Sequence, residues 1–459
     1  MIDNIKLANY KSFFADQVKE AIDEQQKINR SQMRNLFKTG ELSLAYVDSI
    51  QHETGMIILK CPRRMAPRLK VLKGVCIIKK GAKQALGEHV TEWICRWDEF
   101  VDNKDFHSSG SDMTPMYYVH TGDSNYDYVA CSGFSFKLYD ILSKALVDGK
   151  SLSLIVHNPF PPVEYFRNLA SYMDAFSSND ELNLEPTIDY EEWTPEELAF
   201  DEQKPTGISD TIIDTLANEH CCIVQGPPGT GKSYTIASVI SSYLDAGKTV
   251  CVTTMANKGL IELIKQKPLQ KYVKEGRVSK TNLSIDERKQ VSGVKAASAD
   301  LQVPGGEMLC ATNYQLSSVF SEKKMTLYGL PQYDLVVIEE ASQAFLTAIV
   351  AFKQLGIDCL IVGDPMQLPP IVKLNNPQYN SWNVATQVEG LKSMVLGTSI
   401  KSYRIVTTFR LTSRSASLTK CFYGNRFVSV KQDYLDFTKA NSVLFPQDGG
   451  VLYHCTLDV

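Results

Sequence analysis

Eight residues constrain this chain more than any others. Gly226-Pro227-Pro228-Gly229-Thr230-Gly231-Lys232-Ser233 follow the apolar run Cys221–Val224 and precede the helix-forming stretch Tyr234–Leu244. The order is strand, loop, helix, and the loop reads G-x-x-x-x-G-K-[ST]. Its glycines let consecutive backbone N–H groups turn inward as an anion nest, and the following helix adds partial positive charge. Lys232 offers a mobile cation to β- and γ-phosphates. The Ser233 hydroxyl is a hard oxygen ligand suited to Mg²⁺. The segment predicts triphosphate binding on an α/β fold.

The surrounding pattern agrees. Thr249–Val252, Met308–Cys310, Leu335–Ile338 and Cys359–Val362 are further Val/Ile/Leu/Cys runs, each followed by a loop. Unbroken apolar runs suit a parallel sheet covered on both faces. Two of them end in chemistry. Leu335–Ile338 runs into Glu339-Glu340, a carboxylate pair fitted to hold Mg²⁺ (Glu339) and to polarise an attacking water (Glu340). Leu360-Ile361-Val362 runs into Gly363-Asp364-Pro365-Met366-Gln367-Leu368-Pro369-Pro370, a proline-bounded turn. The Gln367 carboxamide there can touch both a γ-phosphate and a lytic water.

Upstream the texture differs. Residues 1–38 carry apolar positions at Ile5, Phe13, Val18, Ile22, Ile28, Met33 and Leu36 with charges between them, a helical pattern. After Gly40, short apolar runs with close turns predict a small β-barrel or meander that includes Tyr117–His120 and Tyr126–Ala130. Residues 135–176 read as helical again, broken by prolines. Residues 178–203 hold ten acidic side chains and no Lys or Arg, a linker. Within it Thr194-Pro195-Glu196-Glu197 carries a capping-box signature for a short helix.

In order and spacing, residues 220–425 resemble a superfamily 1 helicase, most closely the senataxin-like branch that includes the nonsense-mediated-decay helicase. The resemblance lies in Ile223-Val224-Gln225 leading into the loop, Glu339-Glu340-Ala341-Ser342-Gln343-Ala344, Gly363–Pro370, Thr408-Phe409-Arg410-Leu411 and Cys421-Phe422-Tyr423-Gly424. Val252–Asn257 and Cys310-Ala311-Thr312 resemble two segments that touch a nucleic-acid backbone. The resemblance implies an ATP-dependent motor that uses Mg²⁺ and a single strand of RNA or DNA. It implies that Phe409 stacks on the base and that Arg410 reaches the γ-phosphate from a second motor domain. Thr254, Asn257 and Thr312 would bond strand phosphates.

The implied organisation is a helical segment (1–40), a barrel-like accessory region with flanking helices (41–177), an acidic linker (178–205), a RecA-like P-loop domain (206–398) and the start of a second RecA-like domain (399–459). Met255 stands where the family has proline, Glu339 where many members have aspartate. No glutamine lies near Ser209-Asp210, where the family reads adenine. The second domain's later motifs do not follow, so another chain supplying them, or a nucleotide-gated binding module that does not unwind, is the competing expectation.

Composition narrows the partners. A net charge of −4 excludes a uniformly basic nucleic-acid coat protein. Yet residues 60–83 carry nine basic and no acidic residues, a candidate strand-tracking groove with Arg63, Arg64 and Arg68 at its centre. A second basic stretch, Lys265–Lys295, reads as a strand-touching insertion or a surface helix pair. Eleven cysteines with no C-x-x-C pair, and no basic-then-apolar leader, fit a reducing cytoplasm. No apolar run approaches a membrane span, which needs about 20 residues.

Overall fold

The computed structural model describes residues 4–39, 43–54, 56–62, 71–72, 75–78, 114–119, 125–131, 140, 143–144, 153–156, 163–185, 193–283, 285–298, 300–321, 324, 330–372 and 384–431. They divide into two compact units.

The smaller unit falls within Ala15–Val163 and Asn282–Asp286. Its sheet contains β1 (Ser43–Gln51), β2 (Met56–Pro62), β3 (Val71–Leu72), β4 (Val75–Ile78), β5 (Thr114–Val119), β6 (Tyr126–Cys131) and β7 (Ser153–Val156), in the order β3-β5-β6-β2-β1-β7-β4. Every pairing in it is antiparallel. Within residues 135–176, read as helical, Glu164–Ala175 is a helix but Ser153–Val156 is not: β7 pairs with both β1 and β4. Ser-Leu-Ile-Val is a β-prone run, and two partners decide its state.

The larger unit is built on a nine-stranded, wholly parallel sheet. Its strands are β8 (Glu196–Leu198), β9 (Cys221–Gln225), β10 (Val250–Thr254), β11 (Val278–Lys280), β12 (Lys295–Ala296), β13 (Met308–Thr312), β14 (Tyr333–Ile338), β15 (Gly356–Gly363) and β16 (Lys401–Ile405), ordered β12-β11-β13-β10-β14-β15-β9-β16-β8. β9, β10 and β13 are buried along their whole length, as the apolar runs require. This is the RecA-like P-loop architecture. β17 (Thr407–Thr412) and β18 (Val428–Lys431) form a separate two-stranded ribbon.

Three local readings give way to tertiary pairing. Glu196-Glu197 do not open a helix; they form edge strand β8 against Tyr403–Ile405. Ion pairs Lys401–Glu196 and Arg426–Glu197 hold that edge. The basic stretch Lys265–Lys295 does hold two short helices, Gln270–Lys274 and Ile285–Gln290, but it is more than a helix pair, because it also contributes β11 and β12 to the sheet. Lys401–Ile405 pairs with β9, so these residues extend the P-loop sheet rather than begin a second one.

The start of the N-terminal helix, α1 (Asn4–Asn29), also packs into the larger unit as far as Phe14. Phe13 and Phe14 place their rings 5.9 and 5.5 Å from Phe345, edge-on. Tyr165, Leu169 and Tyr172 of α2 (Glu164–Ala175) join the same buried cluster. Burying such aromatic rings contributes roughly 1.5–3 kcal/mol each.

Candidate functional site

Parallel strands bring their carboxyl ends to one edge of a sheet, and ligands gather in the loops there. The register makes this concrete. Gln225 of β9 sits opposite Gly363 of β15, Ile361 of β15 opposite Ile338 of β14, and Ile338 opposite Thr253 of β10. The loops after Gln225, Ile338 and Gly363 therefore leave side by side, though their sequence positions span about 140 residues. β16 pairs with β9 up to Arg404 and delivers Thr407–Arg410 to the same edge.

The loop has the shape of a phosphate cradle. Gly229 and Gly231 have φ of +81° and +80°, values that favour glycine. Close approach is a second reason at Gly229, where an added Cβ would stand 2.2 Å from the Arg410 Cβ. The Thr230 hydroxyl donates to the Pro227 carbonyl at 2.9 Å and braces the turn. Helix α3 (Lys232–Asp245) begins at Gly231 with no side-chain cap, leaving its first N–H groups for an anion.

Lys232 donates to the Gly226 carbonyl and, at 3.2 Å, to that of Pro227. Burial pulls its ammonium below the ordinary lysine range, and the charges of Asp364, Glu339 and Glu340 oppose that pull. An incoming phosphate would replace neutral carbonyls with anionic oxygen.

Glu339 is 6% exposed. Its Oε1 accepts from the Ser233 hydroxyl at 3.1 Å, while its Oε2 is buried without a hydrogen-bond partner. Burial pushes its carboxyl up to about 7; the Ser233 bond opposes the shift, the neighbouring Glu340 charge adds to it and Lys232 opposes it. A buried carboxylate oxygen with no donor is costly unless a ligand completes it. A hard cation fits here: the hydroxyl and the orphaned oxygen are oxygen donors of the kind Mg²⁺ prefers. Among the described residues no group of three or more His, Cys, Asp or Glu could hold a metal alone. Phosphate oxygens and water would have to complete the shell.

Glu340 takes the left-handed region, φ 52°, and accepts from the Thr254 hydroxyl at 3.4 Å. Holding a glutamate there costs on the order of 1 kcal/mol. Asp364, 3% exposed, accepts from the Met366 N–H at 3.0 Å, the Gln367 amide at 3.4 Å and the Tyr423 hydroxyl at 3.0 Å. Phe409 donates its N–H to the Gly229 carbonyl at 2.8 Å, and its ring meets Phe200 edge-on at 5.0 Å. Pro228, Gly229, Thr230, Gly231, Lys232, Ser233, Glu339, Glu340, Gln367, Phe409 and Arg410 all line one cavity of about 790 Å³. Gly226 and Pro227 hold Lys232 from behind.

The residues expected to touch a strand fare differently. Thr254 is fully buried, its hydroxyl donating to Glu340 at 3.4 Å. Thr312, 6% exposed, is spent on a capping box with Gln315. Asn257 is exposed at the start of α4 (Asn257–Ile264). Arg63, Arg64 and Arg68 lie outside the described residues. Arg410 lies against the phosphate loop itself, within the same compact unit.

Sequence reasoning gave no role to Asp364, Tyr423 or Phe200. The first two stood inside quoted motifs, and their hydrogen bond spans 59 positions. Phe200 was hidden in the acidic stretch. No helix among the described residues is long and apolar enough to cross a membrane.

Comparison with known proteins bears on the same segment. The AAA domain family matches residues 209–373. Among solved structures, the PRRSV helicase aligns at 10% identity with a TM-score of 0.28, covering 50% of this chain and 38% of that one. The UvsW helicase from bacteriophage T4 aligns at 9% and 0.28, covering 54% and 80%. The DNA replication ATP-dependent helicase/nuclease dna2 of Schizosaccharomyces pombe is 29% identical over 245 residues, which is 49% of this chain and 16% of that protein. Its Saccharomyces cerevisiae counterpart is 26% identical over 207 residues, 42% and 12%. JHS1 of Arabidopsis thaliana is 19% identical over 258 residues, 55% and 17%. This chain thus matches less than a fifth of each of these proteins. Taken with the parallel sheet and the phosphate cradle, the match over residues 209–373 makes this segment a P-loop NTPase-type domain.

Proposed function

We propose that this chain binds and hydrolyses ATP with Mg²⁺ and couples that cycle to a single strand of nucleic acid, with DNA the first strand to test because the similar proteins named above are DNA replication helicase/nucleases. The observation that carries the reading is the convergence of Lys232, Ser233, Glu339, Glu340, Gln367 and Arg410 on one cavity at the carboxyl edge of a parallel sheet.

Each residue then has a chemical task. The N–H groups of Gly229–Ser233 and the Lys232 ammonium hold the β- and γ-phosphates. Ser233 and Glu339 would hold Mg²⁺, which supplies charge neutralisation across the transferring phosphoryl group. Glu340 orients and polarises the attacking water, and Gln367, tethered to Asp364, contacts water and γ-phosphate. Arg410 adds positive charge at the γ-phosphate, and Phe409 offers a ring to the base. At the finer level we infer kinship with the senataxin-like branch, supported by Cys421-Phe422-Tyr423-Gly424, which resembles the family's F-Y-x-G, and by the β-rich unit upstream of the P-loop.

The test is steady-state ATP hydrolysis with and without a single-stranded oligonucleotide. Hydrolysis stimulated by the strand is expected. ATP-tightened strand binding without turnover would instead favour a nucleotide-gated binding module.

A further inference from the structure

Lys280 is the largest anomaly outside the phosphate site. Its side chain is wholly buried, yet it carries an ammonium group. A buried lysine is costly unless each donor is used. Here it donates to Asn257 Oδ1 at 2.7 Å, to the Thr281 carbonyl at 3.1 Å and to Glu287 at 3.4 Å. Burial pulls the amine below its ordinary range, and the Glu287 charge opposes the pull.

The Asn257 contact carries chemical information. An ammonium group only donates, so it fixes which end of a carboxamide faces it. The oxygen must point at Lys280, which leaves the NH₂ end, with its two donors, directed away. Asn257 itself is exposed. It opens α4, whose N-cap position, Ala256, provides no side-chain cap, and exposed Lys258 follows it. Two residues after Asn257, Gly259 runs close to the hydrolysis site: a Cβ added there would lie 3.3 Å from the Thr254 hydroxyl and 3.8 Å from Glu339 Oε2.

We propose that Lys280 is a positioning residue for strand binding: it locks the Asn257 carboxamide with its NH₂ outward, as a donor to a backbone phosphate. This rests on the strand-binding function proposed above. Lys280 touches no strand, so its effect passes wholly through Asn257. β11 thereby ties the basic stretch Lys265–Lys295 to the strand-facing loop through one buried contact.

The experiment measures binding of a fluorescent oligo-dT by anisotropy, using the full chain. Lys280→Met and Asn257→Ala should each weaken binding about tenfold, the size of one hydrogen bond to a charged phosphate. The double variant should bind no more weakly than either single one. Affinity for a fluorescent ADP should stay within about twofold in all three. Asn257→Asp keeps an oxygen on Lys280 and replaces the outward donor with an anionic acceptor that a phosphate repels. It should lose at least about tenfold in strand affinity with an undiminished melting temperature, which holds even if Lys280→Met fails to fold. Strand affinity within twofold of wild type for Asn257→Asp, or losses that multiply in the double variant, would overturn the role. A wild-type chain that binds nucleotide but no oligo-dT would remove the strand-binding reading itself, and this role with it.

Discussion

Glu339 and Asp358 are acids of equal burial, each 6% exposed, serving opposite ends of adjacent strands in one sheet. Asp358, near the amino end of β15, has both oxygens occupied. His220 Nδ1 lies 2.8 Å from Oδ1, and the Tyr243 hydroxyl donates to Oδ2 at 2.6 Å. Glu339, at the carboxyl end, has one oxygen on Ser233 and one with no partner. The fold completes one acid and leaves the other open. A closed network makes structure; an open one, beside an uncapped helix and the half-buried Lys232, makes a place for a ligand.

Variants can break this contrast, and the largest effect belongs to the open end. Glu340→Gln should cut ATP hydrolysis by about 10²–10⁴-fold while nucleotide binding persists, measured by turnover and by calorimetry. Lys232→Ala should weaken ATP binding by about two orders of magnitude, since it removes the charge-assisted contacts to the phosphates; unchanged affinity would remove the site assignment.

The pH response sharpens the same contrast. The Glu339 carboxyl sits near 7 in the folded chain, above its ordinary value of 4.5. Between these values the folded state holds a proton that the unfolded state has released. Without Mg²⁺, stability should therefore fall as pH rises from about 4.5 to about 7, by up to a few kcal/mol. Glu339→Gln should flatten that slope in chemical denaturation, and a parallel slope in both proteins would refute it. The smallest effect belongs to the closed end. Tyr243→Phe leaves Asp358 Oδ2 without its donor and should cost about 1–3 kcal/mol of stability without changing nucleotide affinity.

Gly229→Ala joins the two kinds of effect. Its Cβ would collide with Arg410, so it should weaken nucleotide binding through the loop and also displace β17. Tyr423→Phe, which frees one donor from Asp364, tests whether β17 and its following helices report to the Gln367 loop. A modest fall in turnover with unchanged nucleotide affinity is expected.

The apolar runs at Cys221, Thr249, Met308, Leu335 and Cys359 were readable as strands because both faces of a parallel sheet are covered, so burial leaves an unbroken hydrophobic record. Loop chemistry was readable for a related reason. Phosphate must meet consecutive N–H groups, which demands glycines at fixed spacing. Glu196-Glu197 misled because a capping box and a strand edge can share the same residues, and the strand partner lies about 200 positions away. Thr254 and Thr312 show what a sequence does not record. Their hydroxyls suit a phosphate, but one is committed to Glu340 and the other to its own helix start. Lys280 left no signal at all, since a lysine in a basic stretch reads as solvated.

By itself the sequence determined the phosphate loop, the acids that face it and the strands that carry them, because each is a local pattern imposed by backbone geometry or burial. Tertiary structure alone decided that Phe409 and Arg410 press on the loop, that α1 lends its phenylalanines to the core and that a buried ammonium grips Asn257. Those facts depend on which distant segments share a sheet edge, and period-2 or period-3.6 patterning carries no record of that.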